Sequence, residues 1–193
     1  MNRSIQIPAS AIEESRPGGI PRGCVFVSGP RGAGKTRWLQ KRILELVAQR
    51  PGIRCAVVLA EDGHTRMERF AHEVPGVAVR RVLLPCPCCP AQAGLPDAVR
   101  NLIGATGADW LFVEMPATAA AGLLGEFDRE LGWTRQVVLC LDEKWERLSQ
   151  RHDAPPIIAA LMERADLVLP ASPPGATPPK EGSHVAAPNI VLT

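Results

Sequence analysis

The chain has 193 residues, with 46% hydrophobic, 22% charged and 4% aromatic residues and a formal net charge of +2. So small a charge argues against a nucleic-acid binder that works through a large basic field, and so few aromatic rings leave little for bases to stack on. Because no apolar run approaches the about 20 residues of a membrane span, and residues 1–23 lack the apolar centre of a secretory signal, we expect a cytoplasmic protein that binds neither nucleic acid nor membranes.

Along the chain, short apolar runs alternate with segments whose apolar residues recur at helical spacing. Residues 1–22 precede this pattern and are predicted to be an irregular leader, because they are rich in Pro and Gly. The predicted strands are 24–28, 54–60, 77–84, 110–114, 136–141 and 166–169, and the predicted helices are 35–49, 67–74, 95–103, 119–131, 144–151 and 157–164. This alternation indicates an α/β fold, a three-layer sandwich in which helices cover both faces of a mostly parallel sheet. We expect one domain over 23–170 and a Pro/Gly-rich tail over 171–193.

A glycine-rich segment follows the first predicted strand. Residues 29–36 read Gly-Pro-Arg-Gly-Ala-Gly-Lys-Thr and match the P-loop pattern between a strand and a helix, which indicates a P-loop NTPase fold. Glycines allow backbone N–H groups to curl around a phosphate, and the positive end of the following helix faces the anion. We expect Lys35 to reach the terminal phosphates and the Thr36 hydroxyl to bind Mg²⁺. The predicted nucleotide-binding residues are Gly29, Arg31, Gly32, Ala33, Gly34, Lys35 and Thr36.

An acidic residue, Glu114, ends the apolar strand 110–114. Parallel sheets bind their ligands at the carboxyl ends of the strands, and P-loop enzymes use an acidic residue there to orient Mg²⁺ or the attacking water. We therefore predict Lys35 and Glu114 as catalytic residues and Glu114 as a magnesium ligand beside Thr36. The alternative is a solvated carboxylate at the end of a strand.

Three thiols lie close together in the run Cys86-Pro87-Cys88-Cys89. In a reducing compartment such a cluster indicates metal or redox chemistry more than structural disulfides. Three thiolates and one further ligand make a tetrahedral site for a soft ion such as Zn²⁺. The sequence therefore predicts Cys86, Cys88 and Cys89 as ligands of a Zn-type metal.

Other interpretations of the thiol cluster stay open. Adjacent cysteines chelate less easily than spaced ones, so two thiols completed by other ligands, or by a partner protein, form an alternative site. The candidate additional ligands are Glu61, His64 and His72. A redox pair or sensor and passive small residues in a loop are the remaining interpretations. The other cysteines, Cys24, Cys55 and Cys140, lie in strand patterns and are predicted to pack in the core.

Taken together, these segments resemble the CobW-like metallochaperone GTPases, relatives of the nickel-insertion GTPases for urease and hydrogenase. In that family the P-loop helix is followed by a strand that ends in Asn-Glu-x-Gly, and this chain has Ala60-Glu61-Asp62-Gly63. A Cys-x-Cys-Cys motif comes next in the family, as at 86–89, and a later strand ends in Glu, as at 110–114. Three further segments resemble a helix and two later strands of the family, namely 95–102, 138–142 and 165–172. The resemblance therefore covers about 23–172.

The resemblance implies ligands and a role. It implies GTP as the nucleotide and Zn²⁺ or a similar ion on the Cys-x-Cys-Cys segment. It also implies that GTP turnover is linked to delivery of a metal to a client protein. Glu61, near the first switch segment, would complete the magnesium site with Glu114 or position water.

Two segments depart from the family pattern. The guanine-reading Asn-Lys-x-Asp is replaced by Pro170-Ala171-Ser172-Pro173, which lacks the carboxylate that accepts the guanine N–H groups, so GTP and ATP both stay open. The glycine that senses the γ-phosphate after the strand-ending Glu is absent from Met115-Pro116-Ala117, and proline has no N–H to donate. We also expect no counterpart of the family's separate C-terminal domain, because only residues 171–193 follow the predicted domain, whose last strand is 166–169.

The function predicted from these features is nucleotide binding with hydrolysis of the γ-phosphate, coupled to the binding or delivery of a Zn-type metal. The expected partners are GTP or ATP with Mg²⁺, a client protein that requires the metal, and a second copy of the chain in a homodimer. A small-molecule or nucleotide kinase is one alternative, for which Arg66 and Arg69, or Arg80 and Arg81, offer a lid. A non-catalytic nucleotide or metal sensor is the other, and the altered base and switch segments favour it.

Overall fold

Parallel strands and the helices between them make up the part of the chain that the computed structural model describes, namely residues 23–60, 66–82, 94–120, 124, 135–151 and 153–171. The strands are β1 (Gly23–Ser28), β2 (Cys55–Leu59), β3 (Val77–Arg81), β4 (Trp110–Glu114), β5 (Arg135–Cys140) and β6 (Leu167–Leu169). The helices are α1 (Lys35–Gln49), α2 (Met67–Glu73), α3 (Gly94–Thr106), α4 (Glu143–Ser149) and α5 (Pro156–Arg164), and 117–120 form a further helical turn. The predicted α/β fold with a parallel sheet is confirmed.

The strand order brings the glycine-rich segment to the middle of the sheet. The order is β3-β2-β4-β1-β5-β6, and every pair in it is parallel. β1 therefore lies between β4 and β5, with Val27 paired to Glu114 and Ser28 paired to Leu139. Because all carboxyl ends point the same way, the residues that follow these three strands meet at one edge of the sheet.

Helix α1 shows why these segments fold as the sequence predicts. Its buried residues Leu39, Ile43 and Leu46 recur at the spacing of one helical face. The helix ends before 51–52, where Pro cannot continue it and Gly52 takes a positive φ of 87°. Among the helices of the described residues, none combines the length and apolar character that a membrane crossing requires.

Several predicted boundaries differ from the structure. β3 ends at Arg81, and Val82 lies outside the strand although its N–H still donates to the carbonyl of Leu59 at 2.9 Å. Of the helix predicted over 119–131, the structure describes helical residues at 117–120 and 124. The predicted leader 1–22 and all of the tail 171–193 beyond Ala171 lie outside the described residues, and the domain boundaries stay a prediction.

The strand cysteines lie in the core. Cys24, Cys55 and Cys140 are buried and free, as their strand patterns predict. Burial raises the pKa of Cys24 far above its usual value, raises that of Cys55 to about 12, and raises that of Cys140 to about 11. These three side chains are therefore neutral thiols at neutral pH, and a neutral thiol is neither a good nucleophile nor a good metal ligand.

We expect the free energy of unfolding to fall as the pH rises from 9.0 to about 11. In this window the thiols of the unfolded chain lose the protons that the buried thiols of Cys55 and Cys140 keep. The folded state then binds more protons, so the slope of stability against pH is negative, and below pH 9.0 this contribution is fully present. Urea unfolding across the window, with a reductant present, measures the slope.

The matched variant is Cys140→Ala, which removes one raised thiol and leaves the strand in place. Its stability should fall less steeply with pH than that of the wild type. The chain has no Tyr, so no phenol ionises in the same window. An identical slope in both proteins would contradict the pKa given to Cys140.

Candidate functional site

Gly29 lies where the chain leaves β1 in close contact with β5. Its φ is +142°, which L side chains rarely adopt, and a Cβ built there would lie 2.1 Å from the backbone oxygen of Cys140. The position therefore excludes every residue with a side chain for two reasons, its backbone conformation and the lack of space. This contact fixes the direction in which the loop 29–34 crosses the edge of the sheet.

The rest of the loop presents the N-terminus of α1. Gly32 and Gly34 have φ values of +85° and +84° in open space, so their backbone conformation alone favours glycine. Gly34 is the N-cap of α1, no side chain caps the helix, and its first turn carries no acidic residue. The first N–H groups of a helix have no partner within the helix and form its positive end. This end of α1 is therefore suited to an anion.

Lys35 lies under the loop and is only 4% exposed. Its Nζ donates to the backbone oxygen of Gly29 at 3.0 Å and to that of Pro30 at 2.9 Å. A buried ammonium must keep its hydrogen bonds, and these carbonyls provide them within the loop itself. The result is a fixed positive charge beside the N-terminus of α1.

Thr36 and Glu114 are joined directly. The Thr36 hydroxyl lies 2.9 Å from each carboxylate oxygen of Glu114, and the carboxylate is 3% exposed. The pairing of Val27 with Glu114 places the end of β4 beside the first turn of α1. A hydroxyl and a carboxylate are hard oxygen donors of the kind that Mg²⁺ prefers, and Mg²⁺ sites in such proteins use one or two of them with substrate phosphates. The two side chains therefore fit a magnesium ion.

Ser28 and Asp142 lie at the same edge of the sheet, at the ends of β1 and β5. The Ser28 hydroxyl is buried and finds no hydrogen-bond partner among the described residues. Asp142, which follows β5, accepts a hydrogen bond from the N–H of Trp145 at 2.7 Å and so caps α4. Sequence reasoning missed the contact of the loop with the Cys140 carbonyl, because no local signal marks a carbonyl as a neighbour of Gly29.

The predicted site residues are described only in part. Lys35, Thr36 and Glu114 come together with the loop, and Arg31 is exposed on it. The predicted ligands Glu61, Cys86, Cys88 and Cys89 lie outside the described residues, as does His64. His72 is exposed on α2. Within the described ranges, no three His, Cys, Asp or Glu side chains are grouped as a metal site.

The arginines considered for a kinase lid lie on α2 and β3 or beside them. Arg81 forms an ion pair with Glu68 at 2.6 Å, and Arg69 forms one with Glu73 at 2.8 Å. The first pair joins α2 to β3, and the second lies along the exposed side of α2. These arginines are therefore bound to carboxylates of the same part of the fold in the described residues.

The segment that contains the loop and the parallel sheet matches one known family. The model of the family described as CobW/HypB/UreG, nucleotide-binding domain, matches residues 24–171. The chain belongs to this family. The predicted resemblance and the P-loop NTPase fold are thereby confirmed, and the chain is a nucleotide-binding member of a metallochaperone-type family. The comparison with curated proteins finds no match.

We expect Gly29→Ala to destabilise the protein more than Gly52→Ala does. Both glycines have positive φ, but only at Gly29 does the new Cβ meet backbone. The conformational cost of a left-handed residue is about 1–2 kcal/mol, and the clash at Gly29 adds to it, for a total above about 3 kcal/mol. Urea unfolding of the two variants measures the difference, and equal losses would contradict the close approach of Gly29 to Cys140.

Proposed function

We propose that the chain binds GTP or ATP with Mg²⁺ on the loop 29–36, hydrolyses the γ-phosphate, and carries a Zn-type metal on Cys86, Cys88 and Cys89 for delivery to a client protein. The observation that carries the nucleotide part is the contact between Thr36 and Glu114, at 2.9 Å to each carboxylate oxygen. It joins the first turn of an uncapped helix to the end of the neighbouring strand. The membership of the chain in a nucleotide-binding family supports the same reading.

The phosphate-binding groups in this proposal are the backbone N–H groups of the loop and the side chain of Lys35. In the structure Lys35 donates to two neutral carbonyls, at 3.0 Å and 2.9 Å. Hydrogen bonds to a charged acceptor are stronger than those to a neutral one, so phosphate oxygens compete well for this ammonium. Arg31, which is exposed on the same loop, adds a positive charge that attracts the nucleotide.

The magnesium-binding groups are the oxygen atoms of Thr36 and Glu114, with Glu61 as a further predicted ligand. Thr36 and Glu114 would hold Mg²⁺, which would supply positive charge against the negative charge that develops on the phosphates during transfer. The Glu114 carboxylate accepts a hydrogen bond from the Thr36 hydroxyl and so holds this hydroxyl in place at the first turn of α1. In the hydrolytic step Glu114 orients a water molecule for in-line attack on the γ-phosphorus; the bond from this phosphorus to the bridging oxygen breaks, the nucleoside diphosphate leaves, and the proton of the water passes to solvent with the inorganic phosphate. Lys35 stabilises the charge on the phosphate oxygens.

The cargo-binding groups are the three thiols of the Cys-x-Cys-Cys segment. Thiolates select soft ions, whereas the strand cysteines are buried with raised pKa values and stay protonated. The described cysteines therefore do not compete for the metal. The membership of the chain in a family of metallochaperone type supports this assignment. We propose in addition that the chain delivers the metal to a client protein and forms a homodimer.

We expect Thr36→Val to weaken Mg²⁺-dependent nucleotide binding at least about tenfold, which is about 1.4 kcal/mol, because the variant removes one magnesium ligand and leaves the helix intact. The measurement is a titration of the protein with fluorescent GTP and ATP, with Mg²⁺ and with EDTA. The two nucleotides are separate arms, because the sequence leaves the base open.

The matched control is Thr106→Val. Thr106 donates its hydroxyl to the carbonyl of Leu102 at 2.7 Å within α3, so the same chemical change is made in a helix that carries none of the predicted site residues. This variant should bind nucleotide as the wild type does. Equal affinities for Thr36→Val and the wild type in the presence of Mg²⁺ would rule out Thr36 as a ligand.

We expect Cys88→Ser/Cys89→Ser to abolish stoichiometric Zn²⁺ binding, because it removes two of the three proposed thiolates. The measurement is a Zn²⁺ titration against a chromophoric chelator, with the metal content of the purified protein determined by mass spectrometry. Cys140→Ala is the control, since the thiol that it removes is buried and protonated. Metal binding by the double variant at the wild-type level would overturn the thiol assignment.

A further inference from the structure

The first turn of helix α4 carries a carboxylate that contacts the chain beyond β6. Oε2 of Glu146 accepts from the N–H of Ala171 at 3.3 Å. The N–H of Leu141 donates to the carbonyl of Leu169 at 2.9 Å, so that the pairing of β5 with β6 continues to the ends of both strands. The Glu146 carboxylate therefore lies at the carboxyl edge of the sheet, where parallel sheets bind their ligands.

Glu146 can accept more hydrogen bonds than this one. A carboxylate has two oxygens with about four lone-pair sites, and 3.3 Å is long for a bond between an N–H and an oxygen. Asp142, at the same edge, differs because its Oδ1 accepts from the N–H of Trp145 at 2.7 Å and caps α4. Of these two carboxylates, the half-buried Glu146 is the more available to a ligand.

The groups that would hold Mg²⁺ lie on one side of β1. Thr36 and Glu114 meet at the end of β4, and the N–H of Met115 donates to the carbonyl of Val27 at 3.0 Å, so that the pairing of β4 with β1 continues beyond Glu114. Since Mg²⁺ is held together with the phosphates of a bound nucleotide, the phosphates lie toward β4. In the proposed function the nucleoside therefore lies toward the opposite side of β1, where β5 and β6 end.

The ends of β5 and β6 are close enough to the loop for a nucleoside to reach them. A Cβ built on Gly29 would lie 2.1 Å from the backbone oxygen of Cys140, so the loop already touches the end of β5. Neighbouring strands are about 4.8 Å apart, which places β6 about 10 Å from β1 across β5. A ribose and its base together span such a distance. In the proposed function the base therefore comes close to Glu146.

A carboxylate in this place distinguishes the two purine bases. The Watson–Crick edge of guanine presents two adjacent N–H donors, on N1 and on the 2-amino group, and one carboxylate can accept both of them. The same edge of adenine presents an amino donor beside a bare N1, whose lone pair repels a carboxylate. Hydrogen bonds to a charged acceptor are the stronger kind, and a site built for such bonds rejects a ligand that cannot form them.

We propose that Glu146 binds the base of the nucleotide and makes the site selective for guanine over adenine. The inference rests on the proposed function, because it concerns the nucleotide held by the loop 29–36. It assigns the base-reading carboxylate to α4, outside the segment 170–173 that aligns with the guanine-reading motif of the family. The bond from Ala171 positions this carboxylate between α4 and that segment.

The test is isothermal titration of the full chain, with Mg²⁺, by the imido analogues of GTP and ATP, which are not hydrolysed. We expect the guanosine analogue to bind at least about tenfold more tightly than the adenosine analogue, because two charge-assisted hydrogen bonds are at stake. A smaller preference, or a preference for adenosine, would overturn the inference and leave the proposed nucleotide site standing. Failure of both analogues to bind would overturn the proposed function, and the inference with it.

The variant Glu146→Gln separates base reading from a structural role. Its amide keeps one oxygen for the N–H of Ala171 but loses the charge and one acceptor. We expect the variant to bind the guanosine analogue at least about tenfold more weakly than the wild type does, and the adenosine analogue no more weakly. A side chain that only holds the segment after β6 in place would weaken the binding of both analogues alike. Equal losses for the two bases, or an unchanged affinity for guanosine, would overturn the inference.

The matched control is Glu143→Gln, the same change at an exposed acidic residue in the first turn of the same helix. It alters the net charge equally and should leave the affinity for both analogues at the wild-type level. A loss of guanosine binding as large as that of Glu146→Gln would show a general effect of charge at this turn and would overturn the inference. Thermal unfolding of both variants without nucleotide shows whether each is folded as the wild type is.

Discussion

The parallel pairing of β1 with β4 is the constraint on which the candidate site depends. It sets Val27 opposite Glu114, so that the last residue of β4 reaches the first turn of the helix that follows β1. A register shift of one residue would turn every side chain of β4 to the other face of the sheet. The contact between Thr36 and Glu114 at 2.9 Å is therefore a consequence of backbone pairing along the whole strand. The same ladder extends to Met115 and so fixes the residue that follows the site.

Two charged side chains of the candidate site are buried, and each needs hydrogen-bond partners to offset the cost of its burial. Lys35 and Glu114 are 4% and 3% exposed, and burying a charge is costly unless it is hydrogen-bonded or paired. Each has its bonds to groups at the same edge of the sheet: loop carbonyls for the ammonium and the Thr36 hydroxyl for the carboxylate. Nucleotide binding in the proposed function is then an exchange of one set of partners for another. Such an exchange needs no large rearrangement of the sheet, because both side chains already lie at its edge.

The local parts of the fold could be predicted from the sequence. Apolar runs gave the strands, helical spacing gave α1, and the pattern of 29–36 marked the loop between them. Two features could not be predicted from the sequence, because they depend on strand order. The approach of Gly29 to Cys140 requires β5 beside β1, and the bond from Met115 requires β4 on the other side. The cap of α4 by Asp142 has a local signal, an Asp directly before the helix, which the sequence-based prediction did not use.

In the proposed function, the two departures of the chain from its family pattern lie at the two ends of the bound nucleotide. At the phosphate end, Met115 and Pro116 offer no free N–H. In the segment aligned with the guanine-reading motif, the N–H of Ala171 donates to the carboxylate of Glu146 at 3.3 Å, so that this described backbone donor is used within the fold. The part of the family pattern that the chain retains is the loop with Lys35, Thr36 and Glu114, which in the proposed function bind phosphates and Mg²⁺. A site rejects the wrong base, or a nucleotide with the wrong number of phosphates, when that ligand would leave polar groups of the site without hydrogen-bond partners. In the proposed function, these retained groups are therefore suited to holding the phosphates of a nucleotide, and they do not themselves select its base.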